Sequence, residues 1–144
     1  MTLLTLAQAR TIVDAALAHG REKGFKPLGV VVVDARGALR MAAVEDGNAL
    51  LRADIAHGKA YGCIAVGVGG RTLNKMALDR PHFMTALGGL TRDRITPVPG
   101  GVLIRDADGT LLGAVGISGD TSDNDELAAV AGIEAAGLKA DTGA

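Results

Sequence analysis

The segment 101-GVLIRDADGTLLGAVGIS-118 leaves this chain few choices of architecture. Two runs of β-forming residues flank the turn Ala107-Asp108-Gly109, and so short a connection forces the strands to pair antiparallel. A second pair sits upstream. The β-branched run 28-LGVVVVD-34, typical of a strand covered on both faces, turns through Ala35-Arg36-Gly37 into 38-ALRMAAVE-45. With 144 residues to place, the simplest organisation is one domain over 1–144 built around an antiparallel sheet.

Helical patterns surround these strands. Thr5-Leu6-Ala7-Gln8 has the form of a capping box, and Leu6, Ala9, Ile12, Val13, Ala16 and Leu17 recur at helical spacing up to Gly20 or Gly24. Residues 50–66 read as a helix with a small-residue stripe of Ala53, Ala56, Ala60, Cys63 and Ile64. Residues 71–90 read as one or two short helices broken by Pro81. The segment 95-ITPV-98 reads as a short edge strand. Ser122-Asp123-Asn124-Asp125 reads as a second capping box, opening a helix to about Gly137, and 139-KADTGA-144 reads as a polar tail. The expected fold is α+β: a central antiparallel sheet of about five strands flanked by helices, in the order α-β-β-α-(α)-(β)-β-β-α.

Composition narrows the function. Aromatic residues make up only 2% of the chain, so Ala, Val, Leu and Ile must fill the core, and 21 glycines point to close helix–sheet spacing. A net charge of −1, with no basic run, argues against nucleic-acid binding. No apolar run approaches the length of a membrane span. The start MTLLTLAQAR lacks the pattern of a signal peptide, and the lone Cys63 cannot form an intrachain disulfide, so a cytoplasmic location is expected.

Several residues carry candidate chemistry. The backbone of Gly100 and Gly101, with the start of the last helix, could cradle a carboxylate, with Ser118, Gly119, Asp125 and Arg52 beside it. The competing reading is turn glycines and a helix start already satisfied by Asp120, Asp123, Asp125 and Glu126. His57 shares a helix side with Asp54 and Tyr61, a cluster that could orient an imidazole as general base or metal ligand, or equally be a surface pair. Lys59, on the side of the helix away from His57, reads as a solvated charge or a subunit contact. His82, in a loop beside Phe83 and Met84, could ligate the metal of a bound cofactor whose apolar body its neighbours cover, or be an ordinary loop residue. His19, near the end of the first helix, suits a capping role. Glu134 lies with Leu127 and Val130 on an apolar helix side, as a buried acid or base or as an interface residue. Glu45 is a further acid/base candidate, with Asp46 beside it and Arg52 close enough in sequence to neutralise both. Cys63 reads as core. No local metal motif is present.

Taken together, 5-TLAQARTIVDAALAHGREKG-24, 29-GVVVVDARGALRM-41, 53-ADIAHGKAYGCIAVG-67 and 99-PGGVLIRDADGTLLGAVGISGDTSDNDELAAVAGIEAAG-137 resemble the GlcG/HbpS-like haem-degrading-domain family. This domain is also found appended to PduO-type cobalamin adenosyltransferases. The sequence departs from the family pattern at Val44-Glu45-Asp46-Gly47, where Arg-Met-Asp-Gly is usual, and at Glu134, where a small residue is usual. The resemblance implies a five-stranded antiparallel sheet, homo-oligomers, and a small-molecule ligand, with haem or another tetrapyrrole the first candidate. The alternative is an enzyme that acts on a small carboxylate metabolite by acid/base catalysis through His57, Glu45 or Glu134.

Overall fold

The structure, a computed structural model, describes residues 3–144. Its elements run α1 (Leu6–Lys23), β1 (Gly29–Asp34), β2 (Leu39–Val44), α2 (Arg52–Val66), α3 (Gly70–Asp79), α4 (Pro81–Leu90), β3 (Gly101–Arg105), β4 (Leu111–Ser118), α5 (Ser122–Ala135) and β5 (Lys139–Asp141). The five strands form one sheet in the order β2-β1-β4-β3-β5, and every neighbouring pair is antiparallel. The α+β expectation holds.

The alternation of β1 explains the layering. Val30 and Val32 join Val102, Ile104, Val115 and Ile117 beneath α1 and α5. Val31 and Val33 join Leu103 and Ala114 beneath α2 and its neighbours. The central strands β1, β3 and β4 therefore feed two cores, which is why the sequence of β1 is apolar from Gly29 to Val33. In α2 the stripe Ala56, Ala60 and Cys63 is fully buried. Burial also raises the Cys63 thiol pKa to about 12, with Asp141 adding to the shift, so it stays a neutral core group.

Thr5 caps α1 as expected: its Oγ1 accepts from Gln8 N at 3.0 Å and Gln8 Oε1 accepts from Thr5 N at 3.0 Å. The helix ends at Gly24, whose φ of 70° is the left-handed conformation glycine tolerates best. Three local expectations are corrected. The segment 95-ITPV-98 forms no strand. Its backbone is drawn onto α2, where Thr96 N donates to Gly58 O at 3.2 Å. Glycines at 58 and 62 open that side of α2, and a Cβ at Gly62 would lie 2.7 Å from Ile95 Cγ1. The fifth strand is instead Lys139–Asp141, within the supposed tail; it pairs with β3 and adds an Arg105–Asp141 ion pair at 3.0 Å. The N-cap of α5 is Thr121 rather than Ser122, with Asn124 N donating to Thr121 Oγ1 at 3.2 Å.

Candidate functional site

The largest surprise lies at the Ser118 end of β4. Lys59 is not solvated; it is 3% exposed, and Asp125 is 1% exposed. Lys59 Nζ donates to Asp125 Oδ2 at 3.1 Å and to Ile117 O at 2.8 Å. Asp125 Oδ1 accepts from Asp120 N at 3.0 Å. The pair thus ties α2, on one face of the sheet, to the start of α5, which packs on the other. Burial pulls the Lys59 pKa below the ordinary lysine range, and Asp125 opposes that shift. Burial lifts the Asp125 pKa above the ordinary carboxylate range, and Lys59 opposes it in turn. A second clamp lies close by in α5: Arg71 donates from Nε and Nη2 to Glu126 and from Nη2 to Asp123.

Most of the residues expected to cradle a ligand gather around this pair. Ser118 Oγ accepts from Arg52 Nη1 at 3.2 Å. The cradle itself is filled by protein. A Cβ at Gly100 would lie 2.7 Å from Lys59 Nζ, and one at Gly101 would lie 2.5 Å from Lys59 O and 2.7 Å from Cys63 Sγ. The glycines let α2 press onto β3. A Cβ at Gly119 would likewise run into Pro27 O. Gly100, Gly101, Ser118, Gly119 and Asp125 are therefore together but close-packed, and line none of the three cavities described below.

The proton-transfer candidates are scattered. His57 is half-buried on α2, its ring centroid 5.7 Å from that of Tyr61. Arg94 covers Tyr61, with its guanidinium carbon 4.2 Å from the ring centroid and Nη2 donating to the hydroxyl at 3.0 Å. Burial first, then Arg94, lowers the His57 pKa against a raising effect of Asp54. Glu45 is occupied: Oε1 accepts from Leu28 N at 2.8 Å, and Oε2 pairs with Arg21 Nε at 2.9 Å. Glu134 is exposed, as is Leu127, so the apolar side chosen from sequence is not the buried one. The buried side is Ala128, Ala129, Gly132 and Ile133, where small residues admit α1. Glu134 and His57 thus sit in layers on opposite faces of the sheet. His82 is exposed in the first turn of α4, not in a loop, while Arg80 rather than His82 covers Phe83, at 4.2 Å. His19 packs edge-on against Phe25 with centroids 5.7 Å apart. Among the described residues no group of three or more His, Cys, Asp or Glu is placed to hold a metal ion.

Open space lies elsewhere. A hollow of about 260 Å³ separates α3 and α4 from the loop through Ile95 and Pro97, and a polar one of about 350 Å³ lies between Arg21, Pro27 and Glu45. The largest of the three, about 690 Å³, opens at the far end of the sheet, where β1 ends and β4 begins. Leu3, Leu4, Leu111 and Leu112 give it an apolar surface, and Asp34, Arg36 and Arg40 add charge. No motif in the sequence marked this site, because its walls come from three separate segments. The arginines in 35-ARGALR-40 were the available signal.

Comparison with known proteins accords with this architecture. Among proteins of curated function there is no significant match. Among solved structures, the PduOC–haem complex superposes with a TM-score of 0.84 at 22% identity, covering 99% of this chain and 100% of that one. Protein ORFY of Klebsiella pneumoniae gives 0.83 at 24%, covering 95% and 93%. A double mutant of HbpS from Streptomyces reticuli gives 0.80 at 26%, covering 93% and 87%. The model of the family described as "Haem degrading protein HbpS-like" matches residues 4–134. Nearly the whole fold, from the buried Leu4 to the exposed Glu134, falls within that match, and the chain belongs to the HbpS-like haem-degrading-protein family.

Proposed function

We propose that this chain is a small-molecule-binding protein whose first candidate ligand is haem or another tetrapyrrole. The observation that carries the reading is the leucine-lined hollow of about 690 Å³ in a chain of the HbpS-like family. That volume lies within the roughly 300–1,000 Å³ range of ligand sites, and apolar walls with a few charged groups are what such sites use. The fit to a tetrapyrrole is specific in kind. Leu3, Leu4, Leu111 and Leu112 suit the ring, and Arg36 and Arg40 suit its propionates. Haem, if bound there, would be held through its ring and propionates by these side chains and would supply an iron centre. The enzyme reading is less well supported, since His57, Glu45 and Glu134 share no cavity.

Two further parts of the reading concern assembly and location. The edge strand β2 exposes Leu39 and Val44, and among the helices it packs chiefly against α1, leaving an edge that a second copy of the chain would cover. A cytoplasmic location fits the single, unpaired cysteine. No helix among the described residues is long and apolar enough to cross a membrane.

The test is a haemin titration followed by the Soret band. A saturable shift is expected in the wild type and also in His57→Ala and His82→Ala, because neither histidine lines the hollow. A flat titration of the wild type removes the haem reading. Loss of the shift in one histidine variant keeps haem as ligand and moves its site away from the hollow. On a sizing column the protein is expected to elute well above the 14.5 kDa of one chain; elution as a monomer refutes assembly.

A further inference from the structure

The charge pattern of the large hollow says more than its volume. Leu4 and Leu112, each 2% exposed, form part of its floor, and Leu3, 66% exposed, stands at its rim. Arg40 is held in place: one Nη1 bond of 2.9 Å to Leu4 O anchors it and leaves most guanidinium donors unused. Arg36 is exposed and belongs to the tight turn between β1 and β2. The one carboxylate in the wall, Asp34, already accepts from Arg36 N at 2.9 Å and Ala38 N at 3.1 Å through Oδ1. Two guanidinium groups against one occupied carboxylate leave the wall net cationic. The remaining described walls are Ala35 and Thr110, so the usual iron-ligating side chains His, Cys, Met and Tyr are absent from them.

We infer that this hollow recognises apolar acids, molecules with an extended apolar body and one or two carboxylates, and that it does so without a bound metal. The inference rests on the binding function proposed above and names the feature of the ligand that is read. Apolar burial against the four leucines supplies most of the affinity, and charge-assisted bonds to Arg36 and Arg40 orient the acid. A metal-free porphyrin with free propionates satisfies both requirements as well as haem does.

The experiment compares haemin, metal-free protoporphyrin IX and its dimethyl ester, using porphyrin fluorescence, tryptophan-free as the protein is, and Soret absorbance. Protoporphyrin is expected to bind within a few-fold of haemin, and the diester about tenfold more weakly or worse, as loss of charge-assisted bonds implies. Arg36→Glu is expected to weaken protoporphyrin about tenfold while leaving the thermal melt unchanged, since among the described residues the Arg36 side chain makes no hydrogen bond or ion pair. Arg40→Met serves as a second variant, with its melt recorded because Arg40 also holds Leu4 O. Haemin binding without protoporphyrin binding overturns metal-free recognition and leaves the haem reading intact. Equal binding of acid and diester, or an Arg36→Glu variant that binds like the wild type, overturns recognition of the carboxylate. If neither porphyrin binds, both readings fall together.

Discussion

Asp125→Ala is expected to destabilise the protein by about 3–5 kcal/mol, because it strands the Lys59 ammonium in a buried site with one carbonyl for a partner. In a chain of this size that corresponds to a fall in Tm on the order of 10 °C. Removing both charges is a different matter. Lys59→Met with Asp125→Leu replaces an expensive buried pair with apolar volume, and the double variant is expected to recover most of the loss. A urea-unfolding cycle over the four proteins checks this. If Asp125→Ala alone unfolds at the wild-type midpoint, the pair contributes nothing and the explanation of this end of the fold is wrong.

The same pair gives a pH signature with a definite sign. In Asp125→Asn, Lys59 keeps the burial that lowers its pKa and loses the carboxylate that raised it. Its folded pKa then lies further below the unfolded value. Between the two the unfolded chain carries the extra proton, so stability rises with pH through that window. The deficit of this variant relative to wild type is expected to be larger at about pH 7 than at about pH 9.5, measured as the difference in urea midpoints. A deficit that is constant or grows with pH contradicts a buried, strained ammonium.

Gly116→Ala carries the second large effect. Gly116 faces α2 at the centre of the sheet, and an added Cβ would overlap the Ala56 carbonyl oxygen and lie 2.7 Å from Ala60 N. Both are backbone atoms of a helix, so no side chain can swing aside. The helix must lift off β4, and the cost is expected to reach about 3 kcal/mol, the upper end for overpacked cores. Gly89→Ala, in open space on α4, is the control and is expected to gain up to about 1 kcal/mol from helix propensity. Equal stability of the two variants would show that α2 does not rest on β4 as closely as described.

These sites also mark how far the sequence could be read. Local rules found the Thr5 cap, the uninterrupted β1 and both hairpins, since each depends on residues within a few positions of one another. The small-residue stripe of α2 was legible for the same reason, and so was its consequence, thin helix–sheet spacing. Lys59 was not. A lone lysine beside an alanine stripe reads as solvated until its partner, 66 residues away, is in place. Lys139–Asp141 was not read as a strand because the three residues Lys-Ala-Asp are too few to establish a period, and only the exposed edge of β3 turns them into one. Glu134 was misplaced because Leu127 and Val130 suggested a buried side that in fact belongs to Ala128, Ala129 and Gly132, residues small enough to admit α1. The site residues were legible only in part. The glycine and helix-start residues do converge, around the buried Lys59 that the sequence read as solvated, and the open hollow draws its walls from segments with no shared motif.

The most direct measurement is amide chemical-shift mapping of the labelled protein as metal-free protoporphyrin is added. Shifts are expected to concentrate at Leu3–Leu4, Asp34–Arg40 and Thr110–Leu112, with Lys59, Ser118 and Asp125 unmoved. Shifts centred on Gly100, Ser118 and Asp125 would contradict this, placing the ligand at the end of the sheet assigned here to a purely structural ion pair.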